Sequence, residues 1–285
     1  MGLRLHRVQS RQGLAWVRQG LLTWAKRPLA FAGMLATFLF AVLLLAMVLP
    51  VAGGILGLAL LPMLSLGFMI ATRSAMAGGP VHPLQLIEGL RLTDGPRRRA
   101  QLSLCAGYAL GSVLVMLLAS HVDGGTFEQL QRLMAEQQAD KASKEIDLLL
   151  ADPRLVQGML VRLGLATLLS VPFWYAPALV HWGHQGALQA LFSSALALWQ
   201  TRGAFVLYAI GWAALLVGVG VLFTLLALVT GAKSLVGMLT MPLALLFSTA
   251  FYVSLWFSYR DSFEPGDDDG DAEADTAPSN GASDA

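Results

Sequence analysis

Six runs of about 20 predominantly apolar residues recur along this chain, and no other feature restricts its fold as much. A helix rises about 1.5 Å per residue, so such a run crosses a hydrocarbon core about 30 Å thick with its backbone N–H and C=O groups bonded inside the segment. The runs are 29–49, 53–72, 100–120, 159–181, 204–230 and 234–257. The first is too long, and its basic flank too extended, for a cleaved leader, so it reads as an anchor. Composition agrees, since 56% of the 285 residues are hydrophobic and only 13% charged. The sequence therefore predicts an all-α membrane protein whose domain, 29–260, has six transmembrane helices.

The segments between spans are amphipathic. In 184–202, Leu188, Leu191, Phe192, Ala195, Leu198 and Trp199 share one face of a 3.6-residue wheel, opposite Ser193, Ser194, Ala197, Gln200 and Thr201. That pattern predicts an interfacial helix. Residues 1–28 form a basic amphipathic segment in which Leu14, Val17, Leu21 and Trp24 align. It fits an anionic leaflet, and equally a helix packed on the protein's own spans with its arginines solvated. A shorter helical run carries Leu84, Ile87 and Leu90. A surface element followed by a two-span hairpin thus occurs three times, and Trp24-Ala25-Lys26-Arg27 before the first span resembles Trp199-Gln200-Thr201-Arg202 before the fifth. The expectation is three repeats of interfacial helix plus helical hairpin.

The middle unit holds an external helical insert, 121–158. Leu130, Leu133 and Met134, then Ile146, Leu149 and Leu150, predict two short amphipathic helices after a Gly124-Gly125 turn. Asp152-Pro153 is a helix start, which places the beginning of the fourth helix outside the bilayer, and Pro172 and Pro177 predict kinks in it. Residues 261–285 lack the hydrophobicity to pack and read as a disordered acidic tail.

Charge sets the orientation. Of the 19 Lys and Arg residues, Arg132, Lys141, Lys144, Arg154 and Lys233 fall on one side and Arg162 within a span; the remaining thirteen fall on the side of the termini. Both termini are expected in the cytoplasm, in a bacterial inner membrane. Arg97-Arg98-Arg99 directly precede a span and belong to this topology signal, so no nucleic-acid partner is expected.

Candidates for chemistry are few. No Asp or Glu occurs in the six runs, which counts against a proton-coupled carrier. Arg162 is the intramembrane cation; it reads as snorkelling to the outer headgroups, and the sharper alternative is an anionic lipid phosphate. His181 and His184 have i, i+3 spacing with His82 on the same membrane face, but a zinc site needs three or four ligands and no Cys or carboxylate pair joins them, so no metal is expected. Trp174, Tyr175 and Trp182 fit an aromatic belt at the interface. Arg162, Trp174, Tyr175, His181, Trp182 and His184 are the lipid or ligand candidates. Cys105 is a buried small hydrophobe that can form no intramolecular disulfide. Gly53/Gly57 and Gly107/Gly111 are small-xxx-small pairs, for packing within the chain or in a homo-oligomer. No phosphate loop or nucleophile motif is present, so neither a cofactor nor catalysis is expected.

Pro177-Ala178-Leu179-Val180 followed by Gly186, Ala187, Leu188, Ser194 and Leu198 resembles the signature of the superfamily containing the glycerophosphodiester phosphodiesterase membrane domain. Over about 8–263, GLAWVRQG, LLPMLSLGFM, SVPFWYAPALVHWG and LLFSTAFYVSL more specifically resemble an uncharacterised proteobacterial inner-membrane family. The resemblance implies six spans and carries no established chemistry, and the hydrolase domain of some relatives is absent. The expected role is a non-enzymatic module that organises or senses membrane lipid or supports a protein partner. The alternative is a transporter or channel for a small or lipid-like solute.

Overall fold

The computed structural model describes residues 8–49, 52–91, 94–135, 146, 148–230 and 233–263, which contain no strand. The elements are α1 (Gln12–Lys26), α2 (Pro28–Val48), α3 (Ala52–Ala59), α4 (Leu61–Met76), a 3-10 helix (Pro83–Leu90), α5 (Gly95–Asp123), α6 (Thr126–Ala135), α7 (Pro153–Phe173), α8 (Ala176–His181), α9 (Ala187–Gln200), α10 (Arg202–Thr230) and α11 (Lys233–Phe263). Six helical segments are long and apolar enough to cross a membrane: Pro28–Val48, Ala52–Met76, Gly95–Asp123, Pro153–His181, Arg202–Val229 and Met238–Phe263. The all-α membrane class is as expected.

Boundaries follow local chemistry. Asp152 accepts the Arg154 N–H at 2.8 Å and Pro153 starts α7, where its missing N–H costs no helix bond. Gly124, at φ 63°, ends α5 in the left-handed region a glycine enters freely. Two boundaries differ from the sequence reading. The second span is broken at Leu60, because Pro62 in the first turn of α4 cannot donate back into α3. The last helix continues past Phe257 to Phe263, so Asp261, expected at the head of the acidic tail, is helical. Of the insert, α6 covers the first expected helix and Leu149 and Leu150 are helical. Residues 136–145 and 147, the basic Arg4 and Arg7, Lys141 and Lys144, and the tail 264–285 lie outside the described residues.

The spans pair as hairpins, and the glycine pairs serve them. A Cβ on Gly53 would meet the Leu45 carbonyl, one on Gly57 the Val42 side chain, and one on Gly111 the Leu169 side chain. Both small-xxx-small pairs therefore bring consecutive spans of one chain together. Each surface element packs mainly on the hairpin that precedes it: the 3-10 helix on α4 and α2, and α9 on α7 and α8. Helix α1 packs on the last hairpin, α10 and α11. The sequence grouping, in which each element belongs with the hairpin after it, differs because hydropathy shows order along the chain and not which neighbour offers a groove.

Candidate functional site

The three surface elements share one design. Helix α1 buries Gly13, Trp16, Val17 and Gly20 against α10 and α11, and the two glycines let the backbones approach so closely that a Cβ would strike Ala204 and Ser254. Trp16 is fully buried, and its indole N–H donates to Asp261 Oδ2 at 2.8 Å, beside the Gln12 amide at 2.7 Å. Arg260 donates to Oδ1 of the same carboxylate. Trp24 donates to Thr249 Oγ1 at 2.9 Å. The segment is thus packed on the protein's own spans, as one of the two sequence readings had it, but the buried stripe is rotated toward Trp16, leaving Leu14 and Leu22 exposed. The 3-10 helix buries Leu86 and Gly89 and exposes Leu84 and Ile87.

Helix α9 carries this furthest. Its fully buried residues are Ala190, Ser194 and Ala197, the small side chains, whereas Leu188, Phe192 and Trp199 are 83%, 69% and 70% exposed. Leu191, Ala195 and Leu198 are half-buried at the edges of the face. The wheel groups Ser194, Ala197 and Thr201 as observed, but that smaller, more polar face is the one that meets protein, and Gln200, expected on it, is exposed. Arg202 places its guanidinium over the Trp199 ring at 5.4 Å.

Ser194 has a specific task there. Pro172 and Pro177 cannot donate backbone hydrogen bonds, and the fourth span breaks at Trp174 and Tyr175 between α7 and α8. Ser194 Oγ accepts the Tyr175 N–H at 2.9 Å and donates to the Val171 carbonyl at 3.3 Å. The fully buried Gln101 of α5 donates to the Pro177 carbonyl at 2.8 Å. Side chains from two neighbouring helices thereby serve backbone groups at the break, where a bare backbone in hydrocarbon would cost several kcal/mol per group.

The remaining candidates separate. Arg162 is held at the insert end: Nη2 donates to Glu128 Oε1 at 2.7 Å, Nη1 stands 3.2 Å from Oδ2 of the fully buried Asp123, and the guanidinium lies 4.0 Å from the Phe127 ring centre. Asp123 also accepts the Gly125 N–H at 2.8 Å, which fixes the turn. The cation expected to snorkel is thus matched by two carboxylates of its own chain. Tyr175 is fully buried among Phe205, Tyr259 and Phe263 and takes no part in an interface belt. Trp174 stands edge-on to Phe205, Tyr208 and Phe251 and borders a cavity of about 540 Å³, its mouth included, beside the fourth-span break. Tyr108, Ser65, Ser170 and Tyr252 also line it. At the opposite end from Arg162, Trp182 packs on His181 and Trp256, and His184 adopts a positive φ of 55° after α8. Among the described residues no group of three His, Cys, Asp or Glu side chains could hold a metal ion.

A probable inner membrane protein of Burkholderia thailandensis is 32% identical to this chain over 268 residues, 93% of this chain and 96% of its own length. The chain belongs to that inner-membrane family. With the six apolar helices, membership makes it a multi-pass inner-membrane protein. No family model matches the sequence and no solved structure matches it, so the wider likeness to the glycerophosphodiester phosphodiesterase membrane domain finds no support. Sequence reasoning missed Trp16, Gln101, Asp123 and Asp261 as anchoring residues. Polar side chains at the edges of apolar runs were the available signal, but their partners lie up to 249 positions away.

Proposed function

We propose that this protein is a non-enzymatic membrane module that organises or senses lipid in one leaflet, with both termini in the cytoplasm. The observation that carries this reading is the common design of the surface elements: each buries small residues at its contact with the spans, beside Trp16 and Val17 on α1 and Leu86 on the 3-10 helix, and leaves other large apolar side chains exposed. Left in water, Leu188, Phe192 and Trp199 would each forgo about 1.5–3 kcal/mol of transfer free energy, which immersion in acyl chains supplies. Support for the orientation comes from the excess of Lys and Arg on the side of the termini.

The test is mass spectrometry of lipids retained in native-lipid discs, comparing wild type with Phe192→Glu and Trp199→Glu. Enrichment over bulk membrane in wild type, lost in both variants, is the expected result; a bulk-like profile in wild type would remove the reading. The cavity beside Trp174, within the membrane-spanning region, favours a second reading, a carrier for a lipid-like solute. On that reading polar changes at Tyr108 and Tyr252 abolish flux while Trp199→Glu does not.

A further inference from the structure

The arginines of this protein differ in how their charge is met. Arg162 faces Asp123 and Glu128, Arg97 is 2.7 Å from Asp94, and Arg260 is 2.8 Å from Asp261. Arg73, like Arg27, Arg98 and Arg202, has no carboxylate within ion-pair distance among the described residues. Its guanidinium instead lies 5.6 Å from the ring centres of both Trp182 and Trp256, two indoles that pack on each other at 5.2 Å. Trp256 is almost fully buried, which fixes the floor under the cation, and Arg73 itself is exposed.

Two histidines stand near the same place. His181 lies within electrostatic reach of Arg73, Arg97 and His184, and its Nδ1 is buried without a hydrogen-bond partner. His184 is held in a left-handed conformation that costs a non-glycine residue about 1–2 kcal/mol, so the turn after α8 keeps it there against local preference. The last turn of α4, which carries Arg73, and that of α8, which carries His181, attract positive charge by themselves. That attraction accounts for Arg73 at the end of α4. It leaves unexplained why Arg73, Arg97 and the two histidines gather where, among the described residues, the only ion pair is that of Arg97 with Asp94.

A planar guanidinium laid on aromatic faces has its N–H groups at its edge, the geometry that receives two oxygens of a phosphate. We propose that Arg73, His181 and His184, on the Trp182–Trp256 platform, form a binding site for a phosphate group, at the same end of the bundle as the α1 anchor. The group can arrive on an anionic lipid headgroup or as soluble phosphate. This deepens the lipid-module reading by naming the headgroup chemistry, and it concerns residues outside the exposed faces of α1, α9 and the 3-10 helix.

The experiment uses the full chain in discs of phosphatidylcholine with or without phosphatidylglycerol. Native mass spectrometry reads the lipid retained, and tryptophan fluorescence follows a titration with inorganic phosphate. Wild type is expected to retain phosphatidylglycerol over phosphatidylcholine, with a loss of about tenfold in Arg73→Gln, the effect of one charge-assisted contact. Arg73→Lys is expected to keep part of the preference. A fluorescence response to inorganic phosphate, absent in Arg73→Gln, assigns the site to soluble phosphate instead. Equal retention of both lipids with no phosphate response, or a preference unchanged in Arg73→Gln, overturns the proposal. Should Arg73→Gln lose its monodisperse, folded state, His184→Gln at the exposed rim takes its place: a reduced preference by the same readouts supports the site, and an unchanged one overturns it. Failure here with general lipid enrichment intact leaves the module reading standing; loss of enrichment in Phe192→Glu alone addresses that reading and not this site.

Discussion

Replacing Asp261 by Ala should undock the N-terminal helix while leaving the spans folded. Asp261 Oδ2 accepts from Gln12 at 2.7 Å and from the buried Trp16 indole at 2.8 Å. Hydrogen bonds to a charged acceptor contribute about 1.5–3 kcal/mol each, and a buried donor left unpaired costs about 1–3 kcal/mol. Because these overlap, and because the carboxylate is 15% exposed, we take about 3 kcal/mol for the pair. If α1 opens as a unit, that raises its open population by roughly 100-fold, at about 1.4 kcal/mol per factor of ten. Asp261→Asn keeps an acceptor oxygen but loses the charge, which halves the effect to roughly tenfold. Hydrogen–deuterium exchange of residues 12–26 in lipid discs measures this directly. Exchange in the Ala variant within twofold of wild type, or equal acceleration in every span, would refute the reasoning.

Three further outcomes follow from the same contacts. Asp123→Asn should lower thermal stability in detergent more than Glu128→Gln, because Asp123 is fully buried and Glu128 is 40% exposed; breaking one side of a buried pair costs about 3–5 kcal/mol, and adding Arg162→Leu to Asp123→Asn should recover part of it. Ser194→Ala should cost about 1–3 kcal/mol by orphaning the Tyr175 N–H, seen as a lower midpoint in thermal unfolding and faster exchange at residues 171–176. Gly13→Ala should displace α1, since its Cβ meets the Ala204 backbone, whereas Gly164→Ala, with open space around it, should be neutral or slightly stabilising by helix propensity; the melting temperatures of the two variants separate the cases.

The membrane class and all six spans are legible in the sequence because transfer of about 20 apolar residues into hydrocarbon is a local property. Asp152-Pro153 and Gly124-Gly125 are legible for the same reason, each turn being made by its own residues. The break at Leu60 is not, since Pro62 sits within a run otherwise apolar and a proline near the end of one helix can equally begin the next. On α9 the wheel separates the faces but does not say which one meets protein. In water the apolar face would turn inward; in a membrane small residues pack and large apolar ones face lipid. Arg162 stands out in the sequence as unusual, yet its partner Asp123 lies just outside a span, where it reads as part of a loop. Arg73 does not stand out, because its signal is the pair of indoles under its guanidinium, which Trp182 and Trp256 bring from distant parts of the chain.

The central claim is that the exposed apolar faces of the three surface elements are immersed in one leaflet. A nitroxide placed in turn at Leu22, Leu84 and Phe192, with Cys105 replaced by Ala and the protein in bilayers, tests it most directly. The account predicts that at all three positions collisions with oxygen, which partitions into lipid, outnumber those with a water-soluble nickel chelate, at depths of about 5–10 Å below the headgroups. Freer access of the nickel chelate than of oxygen at these positions would contradict it.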